Sequence, residues 1–193
     1  MATLLLVRHG ETDWNVENRF QGHADPPLNE TGREQSRELA QELAGERLVA
    51  VVSSPLRRAL ETAEAIAAAH DLPLRQEPGL REVDLGSWTG LTRTEVEARD
   101  PEGYRRWLDY GHGWADGESY EEVGERVVAT LLEVAAAFDG ATVATVTHGG
   151  PIRAALAAAA GISYGEARLN APPIGNCAVF RIAIGNGMLT RID

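Results

Sequence analysis

The chain has 193 residues, 44% of them hydrophobic and 24% charged, which is enough for one domain with a sizeable core. Its net charge of −11 excludes nucleic acid or an anionic membrane as the main partner, because both call for a basic face. An anionic small substrate is not excluded: a few arginines can make one pocket positive, and screening over about 8–10 Å hides distant acids.

Met1-Ala2-Thr3-Leu4 lacks the basic region and apolar run of a signal peptide, and no apolar stretch approaches the roughly 18 residues of a membrane span. A cytoplasmic protein, monomer or homodimer, is expected. Thr3–Val7 is a continuous apolar run that suits a central strand covered on both faces. The polar segment from Gly10 to Asn29 reads as a long functional loop. Thr31 with Glu34 forms a capping-box pattern for a helix to about Ala44. Val49–Ser53 reads as a second buried strand, and Ser54-Pro55 as N-cap and first residue of a helix to about His70. Leu74–Gln76 is a short strand candidate. The segment 79–117 reads as an inserted cap over the core, with a capping box at Thr92 and Glu95 and a helical patch at Tyr104–Tyr110. Ser119 with Glu122 opens a long helix to about Phe138, its apolar positions Val123, Val127, Leu131 and Val134 at helical spacing. Thr142–Val146 is a third buried strand, followed by a helix ending near Gly161. The lone cysteine, Cys177, excludes an intramolecular disulfide and reads as a small buried hydrophobe. Cys177–Ile184 and Met188–Ile192, joined by Gly185-Asn186-Gly187, read as a terminal hairpin. The alternation predicts an α/β fold, a three-layer α/β/α sandwich with a mostly parallel sheet in a single domain spanning 1–193.

In such folds ligands bind at the carboxyl ends of the parallel strands. The first strand ends on Arg8-His9-Gly10, the second leads through Ser53-Ser54 to Arg57 and Arg58, and the third ends on Thr147-His148-Gly149-Gly150. Two histidines and an arginine thus converge beside helix N-termini, whose free N–H groups attract anions. That is a phosphate-sized anion site. One of Arg57 and Arg58 is expected to be an ordinary surface residue. A zinc site is the competing reading for paired histidines, but no ligand spacing such as H-E-x-x-H and no cysteine set accompanies them, so no metal is expected.

The ordered motifs carry a family resemblance. They are Leu6-Val7-Arg8-His9-Gly10-Glu11-Thr12 with Trp14-Asn15, Arg19-Phe20-Gln21-Gly22, Leu28-Asn29-Glu30-Thr31-Gly32, and Ser53-Ser54-Pro55-Leu56-Arg57-Arg58-Ala59. The block from Leu80 through Glu82 to Gly90 follows, then Thr147-His148-Gly149-Gly150-Pro151-Ile152-Arg153. In this order, over nearly the whole chain, they resemble the histidine phosphatase superfamily, in the branch that includes phosphoglycerate mutase.

The resemblance implies that His9 attacks phosphorus and becomes phosphohistidine, which divides one difficult displacement into two. It implies that Arg8, Arg58 and His148 clamp the phosphoryl oxygens. Glu82 aligns with the family's proton donor, a role that needs burial or neighbouring phosphate charge to hold its proton near neutral pH. Asn15, Gln21, Gly22 and Gly149 align with positions around substrate or phosphate. No metal or organic cofactor is implied, because arginines supply the positive charge. The substrate is expected to be a small phosphorylated metabolite. His23, His70 and His112 are read as non-catalytic, His23 lying nearest the pocket rim.

Family members include phosphatases and mutases. Mutases tend to continue after the glutamate with Tyr-Gly-x-Leu-x-Gly-Leu-Asn-Lys and after the second histidine with Gly-Asn. Here the sequence runs Asp84-Leu85-Gly86-Ser87-Trp88-Thr89-Gly90-Leu91-Thr92-Arg93, and Gly149-Gly150. These departures and the short chain favour a phosphatase. A 2,3-bisphosphoglycerate-dependent phosphoglycerate mutase and an α-ribazole phosphatase are the alternative activities. A phosphate-binding scaffold module is the non-enzymatic one. Leaving-group specificity is expected from the cap, where Trp88, Tyr104, Trp107, Tyr110, Trp114 and Tyr120 form either a satellite core or a wall of the cleft.

Overall fold

The computed structural model describes residues 1–170 and 172–193. Its six strands are β1 (Ala2–Arg8), β2 (Leu48–Ser53), β3 (Leu74–Gln76), β4 (Thr142–Thr147), β5 (Val179–Gly185) and β6 (Met188–Arg191). They form one sheet in the order β3-β2-β4-β1-β5-β6. The first four strands run parallel, and β5 and β6 close one side antiparallel. The helices are α1 (Asp13–Val16), α2 (Glu30–Glu42), α3 (Arg57–His70), α4 (Arg93–Arg99), α5 (Pro101–Leu108), α6 (Tyr120–Ala137), α7 (Gly149–Ala160) and α8 (Tyr164–Asn170).

The unbroken apolar run of β1 is explained by burial on both faces. Leu4 and Leu6 join one core cluster with Val123, Val127, Leu131 and Val134 of α6 and Ile152 of α7. Leu5 and Val7 join the other, with Leu39 of α2 and Ala59, Ala63 and Ile66 of α3. Alternate strand residues point to opposite faces, so two helical layers demand two apolar sets. Each fully buried leucine or valine contributes about 1.5–3 kcal/mol by leaving water. The fold is therefore the three-layer α/β arrangement that the alternation predicts. Among the described residues no helix is long and apolar enough to cross a membrane.

Helix starts differ from expectation where a side chain has another partner. α2 is capped by Asn29, whose side chain accepts from the Gly32 N–H at 2.8 Å, so Thr31 is not its cap. Gly32 is required there because a Cβ would run into the Glu11 carbonyl. α3 begins at Arg57 behind Leu56, which gives no side-chain cap, rather than at Pro55. The Ser54 Oγ accepts from Leu56 N at 3.3 Å, ahead of the helix, and lies 2.7 Å from His148 Nε2. Within the predicted loop, Thr12 and Asn15 form a capping box around the single turn of α1. α5 starts at Pro101, three residues before the predicted patch, because Asp100 caps it at Gly103 and proline suits the first helical position. α8 was not predicted, although Ser163 and Glu166 form a capping box before it. Cys177 is half-buried in the turn before β5, with φ 56°, rather than inside the strand.

Candidate active site

β4 lies between β2 and β1, with Arg8 opposite Thr147 and Ser53 opposite Val146. The three polar strand ends therefore meet at one edge. His9 and His148 are both buried, with ring centroids 5.2 Å apart. The His9 Nδ1–H donates to the Gly10 carbonyl at 2.7 Å. A carbonyl only accepts, so the proton is on Nδ1 and the lone pair is on Nε2. Backbone bonds from His9 N to the Thr147 carbonyl and from Asn176 Nδ2 to the His9 carbonyl, each 3.0 Å, hold the residue in place.

Of the two consecutive arginines, Arg58 is fully buried, while Arg57 is exposed and pairs with Glu61. Arg58 donates to the carbonyls of Ala24 at 2.7 Å and Gly22 at 2.9 Å, which ties the loop after α1 to the start of α3. Arg8 donates to the Ile174 carbonyl. Among the described residues, Arg8 Nε, Arg58 Nε and His148 Nδ1 are buried without a hydrogen-bond partner, as is Gln21 Oε1. Unpartnered buried polar atoms are rare and call for an explanation; three nitrogens around one spot are what an anion's oxygens would satisfy.

Burial, then the charges of Arg58 and Arg8, push the His9 imidazole well below its ordinary pKa, and burial does the same to His148. Both are neutral at pH 7, so the His9 lone pair is available. Burial lowers Arg58 to about 10, which leaves it cationic, and lowers Arg8 against the attraction of Glu82.

Glu82 follows the short turn Pro78–Leu80, and its Oε1 accepts from Val83 N at 2.9 Å and Gly150 N at 3.1 Å. Gly150 has to lack a side chain, since a Cβ would collide with that carboxylate oxygen. Arg126 of α6 holds the segment from behind. It donates to the carbonyls of Gly79 at 2.8 Å, Arg81 at 3.0 Å and Glu82 at 3.4 Å, and pairs with Glu118 at 2.7 Å. Glu118 in turn accepts from Asp84 N at 2.9 Å, and His23 Nε2 lies 2.8 Å from the Glu82 carbonyl.

These groups surround a cleft of about 320 Å³. Arg8, His9, Arg58 and Glu82 line it, as do Asn15, Gln21, Gly22 and Gly149, while His148 is buried beside His9. Asn15 Oδ1 is already engaged by Thr12, accepting from its backbone N–H at 3.0 Å. Trp107, Trp114, Tyr120 and Tyr164 form walls. Trp114 and Tyr120 are at once wall and core, and Trp88 is core alone, so these aromatics serve as satellite core and cleft wall together. Reading the sequence alone assigned nothing to Arg126 or to α8 with Tyr164 and Arg168. Arg126 is one arginine on an amphipathic helix, and only the capping box at Ser163 announced α8.

Comparison with known proteins follows this geometry. The model of the histidine phosphatase superfamily, branch 1, matches residues 4–190. Phosphoserine phosphatase 1 of Hydrogenobacter thermophilus is 42% identical over 168 residues, which covers 86% of this chain and 80% of that protein. YhfR of Bacillus stearothermophilus superposes with a TM-score of 0.93 at 34% identity, over 99% of this chain and 95% of that one. A mycobacterial glucosyl-3-phosphoglycerate phosphatase in complex with VO3 gives a TM-score of 0.86 at 32% identity, over 98% and 96% of the two chains. With a family match over almost its full length and near-complete structural overlap, the chain belongs to branch 1 of the histidine phosphatase superfamily.

Proposed function

We propose that the protein is a phosphomonoester hydrolase that works through a phosphohistidine on His9 and acts on a small phosphorylated metabolite. The carrying observation is the His9 tautomer: Nδ1 is committed to the Gly10 carbonyl, which leaves Nε2 as nucleophile in a cleft with Arg8 and Arg58. The names of the relatives, a phosphoserine phosphatase and a glucosyl-3-phosphoglycerate phosphatase, support hydrolysis over phosphoryl return to the substrate.

In the first step the His9 Nε2 lone pair attacks phosphorus and the P–O ester bond breaks. The departing oxygen takes a proton from Glu82. Arg8, Arg58 and His148 donate to the phosphoryl oxygens, where the fixed cations meet charge as it spreads in the transition state. In the second step water attacks the phosphohistidine, Glu82 takes the water's proton, the N–P bond breaks and inorganic phosphate leaves. Gly149 and Gly22 allow close backbone approach, and Gln21 and Asn15 flank the phosphoryl group. The arginines carry the charge that a metal brings elsewhere, so the reading includes no metal and no organic cofactor. The same reading takes the chain as one domain whose 79–117 segment caps the cleft, in a cytoplasmic enzyme.

His9→Ala tests it. Hydrolysis of p-nitrophenyl phosphate and the acid-labile phosphoenzyme should both vanish. Retained turnover would sink the mechanism. Phosphoryl transfer between positions of 3-phosphoglycerate, stimulated by 2,3-bisphosphoglycerate, would favour the mutase alternative instead. A stable phosphate on His9 without turnover would favour the scaffold module.

A further inference from the structure

His23 lies in the loop after α1, and its Nε2 stands 2.8 Å from the carbonyl oxygen of Glu82, 59 positions further on. A carbonyl only accepts, so Nε2 carries a proton and donates it. The other ring nitrogen, Nδ1, is 3.9 Å from Asp84 Oδ2, too far for a hydrogen bond. Arg126 reaches the same Glu82 oxygen at 3.4 Å and makes its shorter bonds to Gly79, Arg81 and Glu118, so the histidine is the closer donor.

The Glu82 carbonyl and the Val83 N–H belong to one peptide unit, which is planar. That N–H donates to Glu82 Oε1 at 2.9 Å. His23 therefore holds one end of a plane whose other end holds the carboxylate. Donation into the carbonyl also polarises the N–H at the far end and strengthens its bond. The second donor to the carboxylate, Gly150 N at 3.1 Å, falls on Oε1 as well. Oε2 is thus left to carry the proton, and the tilt of the 82–83 peptide decides where it points.

The backbone on either side of His23 is fixed from the phosphoryl site. Arg58 donates to the carbonyls of Gly22 at 2.9 Å and Ala24 at 2.7 Å. Just upstream, Phe20 pairs with the continuation of the Glu82 segment: its N–H donates to the Leu91 carbonyl at 2.9 Å, and its carbonyl accepts from Gly90 N at 2.8 Å. Gly22-His23-Ala24 thus joins the buried arginine of the phosphoryl site to the acid.

We infer that His23 is a positioning residue for Glu82: through the 82–83 peptide it keeps the carboxyl in a set place relative to the phosphoryl group that Arg58 grips. This rests on the phosphatase reading and adds what aims its proton donor. His23 does not line the cleft, so it acts through Glu82 and not on the substrate.

The test compares phenyl phosphate with p-nitrophenyl phosphate. The two share a ring, but the phenolate leaving group needs a proton far more than nitrophenolate does. His23→Leu removes the donor at similar volume, and His23→Gln keeps an N–H near the place of Nε2. The side chain is 31% exposed, so neither variant opens a cavity in the core. His23→Leu should lower kcat/KM on phenyl phosphate by roughly 5–10-fold, the worth of one hydrogen bond, and on p-nitrophenyl phosphate by less than about twofold. Competitive inhibition by inorganic phosphate should be unchanged, because the Arg58 clamp stays in place. His23→Gln should recover most of the loss, and His23→Leu should add nothing in a Glu82→Gln background, as expected for groups acting as one unit. Equal losses on the two substrates, a loss that glutamine does not recover, or full additivity with Glu82→Gln overturns the positioning role while leaving the phosphatase reading intact. Weakened phosphate inhibition in His23→Leu overturns it too, since the histidine would then serve the Arg58 loop and not the acid. A wild-type protein that hydrolyses neither ester overturns the phosphatase reading and this inference with it.

Discussion

The floor and the mouth of the cleft are built in opposite ways. The floor is made by strand ends: Arg8, His9 and His148 are delivered by β1 and β4, and Arg58 by the first turn after β2. Their positions follow from sheet register, which packing on both faces makes hard to shift. The mouth is made by side chains from α4, α5, α6 and α8, joined through a chain of aromatic contacts from Phe20 through Trp88 and Trp114 to Tyr120 and Tyr164. A floor built on the sheet holds a generic phosphoryl group. A mouth built on replaceable side chains can change its leaving group without disturbing the chemistry below.

If this division is right, floor substitutions reduce all substrates alike and mouth substitutions change only ratios. Arg58→Ala should lower kcat by on the order of 10²–10³ on every phosphomonoester, by analogy with loss of an oxyanion donor. An effect confined to one substrate would break the comparison. Glu82→Gln stands between the two regions. It should reduce turnover of alkyl phosphates by roughly 10²–10⁴ and of p-nitrophenyl phosphate far less, because a good leaving group needs no proton. Equal loss on both would remove the acid role.

Arg126 sharpens the boundary. Arg126→Met should loosen the Glu82 segment and reproduce the same leaving-group pattern at about tenfold, and should add little in a Glu82→Gln background, as expected for groups acting as one unit. Additive losses would mean that Arg126 merely stabilises the fold. Neutral burial of His9 and His148 predicts a pH effect on the floor alone. Between their depressed folded pKa values and the ordinary value of 6.5, the unfolded chain binds protons that the folded chain does not. Stability should therefore decline as pH falls through about 6.5, seen as a lower Tm at about pH 5.5 than at about 7.5, and His148→Gln should flatten the decline. A Tm independent of pH in that window would contradict neutral burial. The smallest effect is remote from both regions: Ser119→Ala, which removes the α6 capping box, should lower stability by about 1 kcal/mol in urea denaturation and leave substrate ratios unchanged.

Much of the floor was legible before any coordinates. Continuous apolar runs ending on Arg-His-Gly and Thr-His-Gly-Gly identify buried parallel strands with chemistry at their ends, and the ordered motifs pick out Arg58 and Glu82. Local signals also located α6, where a capping box and a 3.6-residue period agree. They misplaced the starts of α2 and α3: Asn29 had the better partner at the first, and at the second Ser54 bonds Leu56 N ahead of the helix as well as a histidine 94 positions away. Arg126 was invisible because its partners are backbone carbonyls, which carry no residue-type signal.

By itself, then, the sequence determined the layered α/β fold, the His9 and His148 convergence and the family, because these depend on period-two and period-3.6 burial and on short motifs. Tertiary structure decided which nitrogen of His9 keeps its lone pair and what holds Glu82. Those depend on distances between segments far apart in the chain, and a hydrogen bond between them exists only once such segments have met.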